Sequence, residues 1–310
     1  YEISCSLVGS EMCIRDRLRT RNRLPSYTAR RRNTVRPADR CCSPAPSTTG
    51  SAYQRYGEGM HRLGVCYEYG DGVEQNWEHA VHWFREAAES GVSVAMTDLG
   101  YCYEKGCGVE QSWEQAFSWY RRGAECGYPV SMSNLGLCYK RGYGVDQNWQ
   151  EAIKWYEQGA QCGDLQSMHN LACCYEHGEG VEQNMTEAIR WYTAAAEGGN
   201  AAAMHSLGWH YDHGEGVEQD MKKAICWYER AAEQNHPAAM NSLGECYAMG
   251  RGVPRDLETA MEWYRRAAEL GEAMADYNMG WHLEQAGKLS EAYAPVSYTH
   301  LRAHETAANL

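Results

Sequence analysis

Two classes of feature are missing from this 310-residue sequence. No stretch approaches the roughly 20 apolar residues that a membrane-spanning helix needs. There is also no phosphate-binding loop, no nucleophile elbow and no metalloprotease motif. The many carboxylates are typical of solvated helix surfaces, and no pair of them stands out as converging. We therefore expect no catalytic site and no cofactor in this sequence.

The two ends of the sequence are related through their codons. One set of codons for Leu7–Asp16 has a reverse complement that encodes Val296–Glu305, residue for residue. We interpret residues 1–17 and 295–310 as translated sequencing adapter, with a genuine inverted repeat in the gene as the alternative. On this interpretation the native termini, and any targeting signal they carry, lie outside the sequence.

Residues 18–52 contain clustered Arg with scattered Pro, Ser and Thr. Such a segment cannot bury enough apolar surface to fold, so we expect disorder or misread untranslated sequence; a basic nucleic-acid-binding arm is the alternative. Of the 29 Lys and Arg and 41 Asp and Glu in the chain, ten Arg and four acids fall within residues 1–40, which leaves 19 bases against 37 acids and a net charge of −18. So acidic a surface repels phosphate backbones and favours a basic protein or peptide as partner.

An internal period of 36 residues dominates the remainder of the sequence. Six tryptophans recur at this interval: Trp83, Trp119, Trp155, Trp191, Trp227 and Trp263. Six tyrosines do the same: Tyr67, Tyr103, Tyr139, Tyr175, Tyr211 and Tyr247. A fixed period of this length marks a solenoid or a propeller. The copies span 57–92, 93–128, 129–164, 165–200, 201–236 and 237–272, and a partial seventh extends the repeat region, 53–294.

Spacing within each copy predicts two helices. In the first copy, apolar residues between Ala80 and Ala88 fall at helical intervals, as do those between Met60 and Tyr67. No alternating β pattern appears, so the expected fold is an all-α solenoid of helix-turn-helix repeats. Recurring Gly after the first helix suits a left-handed C-terminal cap, and Asn, Ser or Asp before the second suits an N-cap. Three copies also carry the Gln or Glu of a capping box, namely Gln115, Glu151 and Glu187.

The fixed large residues are the predicted repeat core, because small neighbours such as Gly64 and Ala88 let the helices approach and large rings fill the gaps. This core comprises Leu63, Tyr67, Trp83, Tyr103, Trp119, Tyr139, Trp155, Tyr175, Trp191, Tyr211, Trp227, Tyr247 and Trp263.

Together these residues resemble a known family, the Sel-one-like repeat, a relative of the tetratricopeptide repeat. Its pattern A-x-x-x-L-G-x-x-Y-x-x-G-x-G-V-x-x-(N/D)-x-x-x-A-x-x-W-Y-x-x-A-A is matched by Ala203, Leu207, Gly208, Tyr211, Gly214, Gly216, Val217, Asp220, Ala224, Trp227, Tyr228, Ala231 and Ala232. Departures include Ala172 for the first-helix Gly, Phe84 for one Tyr, and a seventh copy without the G-x-G-V loop. The resemblance implies a right-handed superhelix that serves as a non-catalytic adaptor.

Positions that vary between copies are available to a partner. Three such columns on the first helix lie two residues before, two after and five after the fixed Leu, and therefore share one side of the helix. In solenoids that side lines the concave surface. We predict an acidic, aromatic-lined groove that binds a peptide or protein through Glu68, Tyr101, Glu104, Glu176, Trp209, Asp212, Tyr277 and Trp281. Ordinary solvated or half-buried side chains are the alternative.

Fourteen cysteines invite a metal or disulfide interpretation. The cysteines that repeat at 36 residues (Cys66, Cys102, Cys138, Cys174 and Cys246) are more simply small core residues. Secreted members of the resembled family pair Cys eight residues apart, where this chain has Ala88 and Met96, so the pattern favours a reducing, cytoplasmic compartment. A zinc site is the alternative use of a second set: His169, Cys173, His177, His205 and His213.

Two functions compete at this point. The first is a stand-alone adaptor. The second is the docking or regulatory module of a larger enzyme, of the kinase or ubiquitin-ligase type, whose catalytic domain lies outside this sequence. Fold alone does not decide between them.

Overall fold

The computed structural model describes residues 50–285, and within that range every regular element is an α-helix. Seven first helices of the repeats, here called A helices, alternate with six second helices, called B helices. The A helices are α1 (Gly50–Tyr69), α3 (Ser93–Lys105), α5 (Pro129–Arg141), α7 (Leu165–His177), α9 (Ala201–His213), α11 (Pro237–Met249) and α13 (Ala273–Gln285). The B helices are α2 (Trp77–Glu89), α4 (Trp113–Glu125), α6 (Trp149–Gln161), α8 (Met185–Gly198), α10 (Met221–Glu233) and α12 (Leu257–Glu269).

These bounds confirm the predicted helical repeat of 36 residues. The first helix begins at Gly50, within the segment predicted to be disordered and three residues before the predicted start of the repeat region at residue 53. The adapter interpretation of 1–17 and 295–310, the rest of 18–52 and the end of the partial seventh repeat lie outside the described residues. No helix between residues 50 and 285 combines the length and the apolar character needed to cross a membrane.

Local capping explains where the helices begin and end. Each B helix follows a residue whose side chain accepts a hydrogen bond from the first-turn backbone, as Asn148 does from the Glu151 N–H at 3.1 Å. Each of α3, α5, α7, α9 and α11 ends at a glycine with positive φ, such as Gly142 at 73°. Both predicted signals are confirmed, because these are the residue types that satisfy the unpaired backbone groups at helix ends.

The predicted capping boxes are only half formed. The reciprocal bond of a capping box runs from the N3 side chain to the N-cap N–H. Here that N–H donates instead to the carbonyl of the A-helix tyrosine nine residues earlier, as Asn148 does to Tyr139 at 2.9 Å. The prediction was wrong on this point because the turn folds back far enough for a backbone acceptor to take the place of the side chain.

A second device in the turn was missed. The Gln side chain just before each of the first five N-caps donates to the A-helix carbonyl seven residues earlier, as Gln147 does to Lys140 at 2.8 Å. Arg255 has the same role in the sixth copy, where its Nε donates to the Ala248 carbonyl at 3.0 Å. Periodicity alone contained this signal, since Gln75, Gln111, Gln147, Gln183 and Gln219 recur every 36 residues.

The fully buried aromatic residue of each repeat is the one that follows the recurring tryptophan. Tyr120, Tyr156, Tyr192, Tyr228 and Tyr264, with Phe84 in the first copy, are at most 1% exposed. In every copy but the fourth, which has Ala172, this ring packs on the A helix of its own repeat where that helix carries a glycine; a Cβ at Gly136 would meet the Tyr156 ring at 2.5 Å. Glycine suits this position because the ring lies directly on the helix backbone.

The residues predicted as core divide into two groups. The fixed leucines are buried from the second copy onward, with Leu99 and Leu135 at 0% exposure. The recurring tryptophans and A-helix tyrosines are half-buried and pack against the edges of the core. Tyr139 contacts the buried clusters of two successive repeats, so it acts at the joint between them. An Arg or Lys covers most of the indoles, as Arg122 covers Trp119 at 4.3 Å from the ring centroid.

Helix contacts define an inner side of the repeat array. Each B helix packs between the A helix of its own repeat and that of the next repeat, and A helices of successive repeats also touch directly, as α5 and α7 do. Helices that are close neighbours across a repeat lie at the smaller radius of a curved stack. The A helices therefore line the inner side, which is where the partner-binding columns were predicted.

Replacing Gly144 by Ala should separate a close approach from backbone strain. Gly144 has φ of 68°, and an added Cβ would collide with the backbone carbonyl of Trp113 in the preceding repeat. Gly163 has φ of 84°, and nothing lies within 4 Å of its Cβ position. We expect Gly163→Ala to cost about 1–2 kcal/mol from the left-handed conformation alone, and Gly144→Ala to cost at least about 3 kcal/mol.

Urea unfolding followed by circular dichroism measures both variants. Equal losses of stability would contradict the proposed contact between the turn and the preceding B helix.

Candidate partner-binding surface

Exposed aromatic side chains mark the inner face of the A helices. Tyr101 is 45%, Tyr277 66% and Trp281 41% exposed, and all three belong to the predicted partner-binding set. Trp209 is half-buried, and its indole stacks on His213 with 4.3 Å between the ring centroids. Because Trp and Tyr are enriched at binding hot spots, exposed rings in these columns are candidates for contact with a partner.

The predicted acids occupy a more constrained position. Glu104 accepts a hydrogen bond from the buried Tyr120 hydroxyl at 2.8 Å, and Glu176 accepts one from Tyr192 at 2.5 Å. In each case the tyrosine lies sixteen residues later, on the B helix of the same repeat. The hydroxyl of a buried ring thus reaches the inner face, where it holds a carboxylate in a fixed orientation.

Glu68 and Asp212 differ most among these acids in how the protein stabilises their negative charge. The ring opposite Glu68 is Phe84, which has no hydroxyl, and burial followed by the charge of Asp98 raises the pKa of Glu68. Asp212 is 4% exposed and accepts from Arg251 Nη1 at 2.9 Å. Its charge is therefore balanced inside the molecule, by a side chain from the next repeat.

Two repeats lack an acid at this position, and the consequence is visible in their tyrosines. Lys140 and Ala248 stand where the other copies carry Glu or Asp. Among the described residues, the hydroxyls of Tyr156 and Tyr264 are buried without a hydrogen-bond partner. Lys140 instead donates to Glu179 at 2.8 Å, a bridge to the next repeat with the polarity opposite to that of Asp212 and Arg251. Acids of this column thus accept hydrogen bonds from buried tyrosine hydroxyls whether or not a ligand is bound.

A buried histidine lies beside one of the acids on the inner face. His210, which the sequence did not single out, is 1% exposed and places its Nε2 3.8 Å from Glu176 Oε1. Burial opposes ionisation of Glu176, but the nearby His210 and the hydrogen bond from Tyr192 outweigh that effect and lower the pKa of its carboxyl. This acid is therefore an ionised part of the inner face.

The alternative metal cluster is not assembled. Among residues 50–285, no group of three or more His, Cys, Asp or Glu could hold a metal ion. Two of the rings bond back along their own helix, since His177 Nδ1 lies 2.9 Å from the Cys173 carbonyl and His213 Nδ1 2.9 Å from that of Trp209. His169 Nε2 lies 3.9 Å from Cys173 Sγ, but no further His, Cys, Asp or Glu among the described residues joins this pair in a group that could hold a metal ion. The zinc alternative therefore has no support among the described residues, because these side chains share one side of the A helices without converging on one centre.

The repeating cysteines are core thiols, as predicted. Cys102, Cys138, Cys174 and Cys246 are buried, Cys66 is half-buried, and all five are free. Burial raises the pKa of each of the four buried thiols to about 12, so they stay protonated at neutral pH. Protonated thiols are poor nucleophiles and poor metal ligands, which supports a packing role.

One pocket opens on the inner face between α9, α11 and the start of α13. Its volume is about 350 Å³, and its lining includes Trp209, Asp212 and His213 from the first of these helices. Asn241 and Glu245 of α11 and Arg251 of the following turn complete its polar side. Glu245 was overlooked in the sequence, although it is the only acid in a column of otherwise apolar residues: Val65, Tyr101, Leu137, Cys173, Trp209 and Trp281.

Comparison with known proteins identifies the repeat. The model of the Sel1 repeat matches residues 57–92, 93–128, 129–164, 165–200, 201–236 and 237–272. The solved Sel1 repeat protein from Oxalobacter formigenes is similar, with 34% identity, a TM-score of 0.66, and coverage of 69% of this chain and 88% of that one. No curated protein matches the chain.

A second solved structure extends the likeness. It is c5321, a protective antigen present in uropathogenic Escherichia coli strains that displays an SLR fold, with 30% identity and a TM-score of 0.65. The alignment covers 81% of this chain and 56% of that one, so this chain spans little more than half of that protein.

Paired Tyr→Phe substitutions should reveal the role of the acid column. Tyr192→Phe removes the donor to Glu176, and we expect it to cost about 1–2 kcal/mol because a hydrogen bond to a charged acceptor is lost. Tyr156→Phe removes a buried hydroxyl that has no partner, so stability should stay the same or rise by up to about 1 kcal/mol. Urea unfolding of the two variants gives the comparison, and similar losses in both would refute this role of the acids.

The free energy of unfolding should also decrease as pH falls, because the ring of His205 is buried. Burial, followed by the charges of His236 and His169, lowers the pKa of His205 from 6.5 to about 4. The unfolded chain therefore binds more protons than the folded one between these values, and stability is lost as pH falls from about 6.5 to about 4. Urea unfolding at pH 7.5 and pH 5 gives the free energy of unfolding at each pH. The difference between the two values should be smaller in His205→Gln than in the unchanged protein, by up to about 2 kcal/mol. An unchanged pH dependence in that variant would contradict the assignment.

Proposed function

Because this chain belongs to the Sel1 repeat family, we propose that it is a protein-interaction scaffold that holds a peptide or an extended protein segment along the inner face of its A helices. Sel1 repeat proteins are in general non-catalytic helical scaffolds for protein binding. The proposal adds to that general role a particular surface and a preferred kind of partner.

The exposed aromatic rings carry this proposal. Tyr101, Tyr277 and Trp281 lie in columns that share one side of the A helix, and all three are over 40% exposed. A ring of this size gains free energy when a partner covers it, at about 25 cal/mol for each Å² of apolar surface. Leu137, at 38% exposure in the same column, extends the apolar surface between the two ends of the array.

Charge supports a basic partner. Outside residues 1–40 the chain carries a net charge of −18, which speeds the approach of a basic segment and disfavours nucleic acid. Several inner-face acids already have internal partners, so we assign specificity to the aromatic rings and the approach rate to the overall charge. Binding should accordingly weaken with salt mainly through its association rate.

Loss of either inner-face ring should weaken partner binding. Peptides selected from a random display library against the full chain would be measured by fluorescence anisotropy with Tyr101→Ala and Trp281→Ala. We expect each substitution to weaken the selected peptides about 30-fold, the effect of losing a hot spot of about 2 kcal/mol.

Tyr56→Ala is the matched control. Tyr56 is 66% exposed but lies seven residues before Leu63, on the side of the A helix away from the groove columns. Peptides that bind all three variants as tightly as the unchanged protein would show that the inner face is not the binding surface.

A further inference from the structure

The charged side chains that line the pocket between α9 and α11 are mostly acidic. Asp212, Glu245 and Glu272 contribute three carboxylates to its lining, against the single guanidinium of Arg251. Burial, with His236 and His169, lowers the pKa of the lining residue His205 to about 4, so that ring is neutral at pH 7. The pocket therefore holds an excess of negative charge in a partly enclosed site, where charge is less screened than on an open surface.

Only part of that charge is balanced from within. Arg251 donates to Asp212 at 2.9 Å, while its other terminal nitrogen lies 3.7 Å from Glu245 Oε2. Asp212 is 4% exposed and fully engaged by this pair, but the Glu245 side chain is 40% exposed. The carboxylate of Glu245 is consequently more accessible to an incoming solute than that of Asp212.

Neighbouring amides fix the orientation of Glu245. Its Oε1 accepts from Asn241 Nδ2 at 3.1 Å and from Asn278 Nδ2 at 3.0 Å, and Asn278 also donates to Asn241 Oδ1 at 3.0 Å. These bonds link α11 to α13, so the carboxylate is positioned by two repeats. A preorganised acceptor loses little conformational entropy when a donor arrives.

Apolar side chains also line the pocket. The indole of Trp209 lines the pocket with its orientation set by the stacked His213, and Met274 lies on the same lining. A flat aromatic ring beside a fixed carboxylate suits a side chain with an apolar stem and a cationic head. At about 350 Å³ the pocket is near the lower limit of ligand pockets, about 300 Å³, which suits one long side chain better than a cofactor.

We propose that this pocket binds the Lys or Arg side chain of a protein partner, with its stem against Trp209 and its cationic head on Glu245 and Glu272. The inference rests on the proposed function, since it names one contact that the scaffold makes with its ligand. It also accounts for the single acid in an apolar column, because Glu245 stands in this pocket.

Short peptides test the pocket without a known partner. Acetylated, amidated pentapeptides of sequence Gly-Ser-X-Ser-Gly would be titrated into the full chain labelled with ¹⁵N-tryptophan, with X as Lys, Arg, norleucine or Glu. Trp209→Phe assigns the indole N–H signal among the eleven tryptophans. We expect saturable shifts of the Trp209 signal with Lys and Arg, and none with norleucine or Glu.

Charge-neutral variants of the acids sharpen the test. Glu245→Gln should weaken the Lys and Arg peptides about tenfold, since a charge-assisted contact is lost, and Glu272→Gln should weaken them about threefold. Glu157→Gln, on the exposed face of α6, changes the net charge equally and should leave affinity within about twofold. Circular dichroism confirms that each variant is folded.

Three results would overturn the proposal. Equal binding of norleucine would reveal a merely apolar pocket, binding of the Glu peptide would assign it to anions through Arg251, and the absence of any shift would leave no site. If the pentapeptides fail while display-selected peptides still depend on Tyr101 and Trp281, the pocket is refuted and the scaffold function stands. Pentapeptide binding that depends on Glu245, with selected peptides indifferent to the aromatic variants, would refute the groove instead.

Discussion

The contact between the buried B-helix ring and the A-helix backbone is the constraint on which the rest of the structure depends. Tyr156 lies so close to Gly136 that a Cβ there would meet the ring at 2.5 Å, and the same arrangement recurs in most copies. The fourth copy carries Ala172 in place of this glycine, and there the Tyr192 hydroxyl bonds both Cys173 Sγ at 3.1 Å and Glu176. Close helix packing and a polar ring tip together connect the hydrophobic core to the inner face.

That connection limits how the inner face can be charged. An acid in the Glu104 column satisfies a buried hydroxyl, so its presence follows from packing as well as from any ligand. Where the column carries Lys140, this side chain donates a hydrogen bond to Glu179 of the next repeat, and the buried Tyr156 hydroxyl has no hydrogen-bond partner. The acids of the inner face therefore fall into two groups: those that accept a hydrogen bond from a buried tyrosine hydroxyl, such as Glu104, and those that do not, such as Glu245.

Sequence reasoning predicted most of the fold because 36-residue periodicity and capping residues are local signals. It located helices, turns and caps, and it placed Tyr101, Tyr277 and Trp281 where they are exposed. It assigned the tryptophans to the core and left out the tyrosines that follow them. Both positions fit the same helical stripe, and which of the two is buried depends on the angle at which neighbouring helices pack. The burial of Asp212 and the pairing of Arg251 with it could not be predicted, because that bond spans 39 residues and depends on how repeats stack.

Nearest-neighbour stacking also explains how a local site can arise within such a uniform array. Each joint between repeats is built from the same columns, so a change at one joint leaves the others intact. At the joint between α9 and α11 several departures coincide: Arg251 in the turn, Glu245 in an apolar column, and Trp209 beside them. The other joints form without these residues, although at this joint Arg251 also balances the charge of the buried Asp212. Residues that differ from the repeat pattern while the helix packing stays the same are therefore candidates for contact with a bound partner.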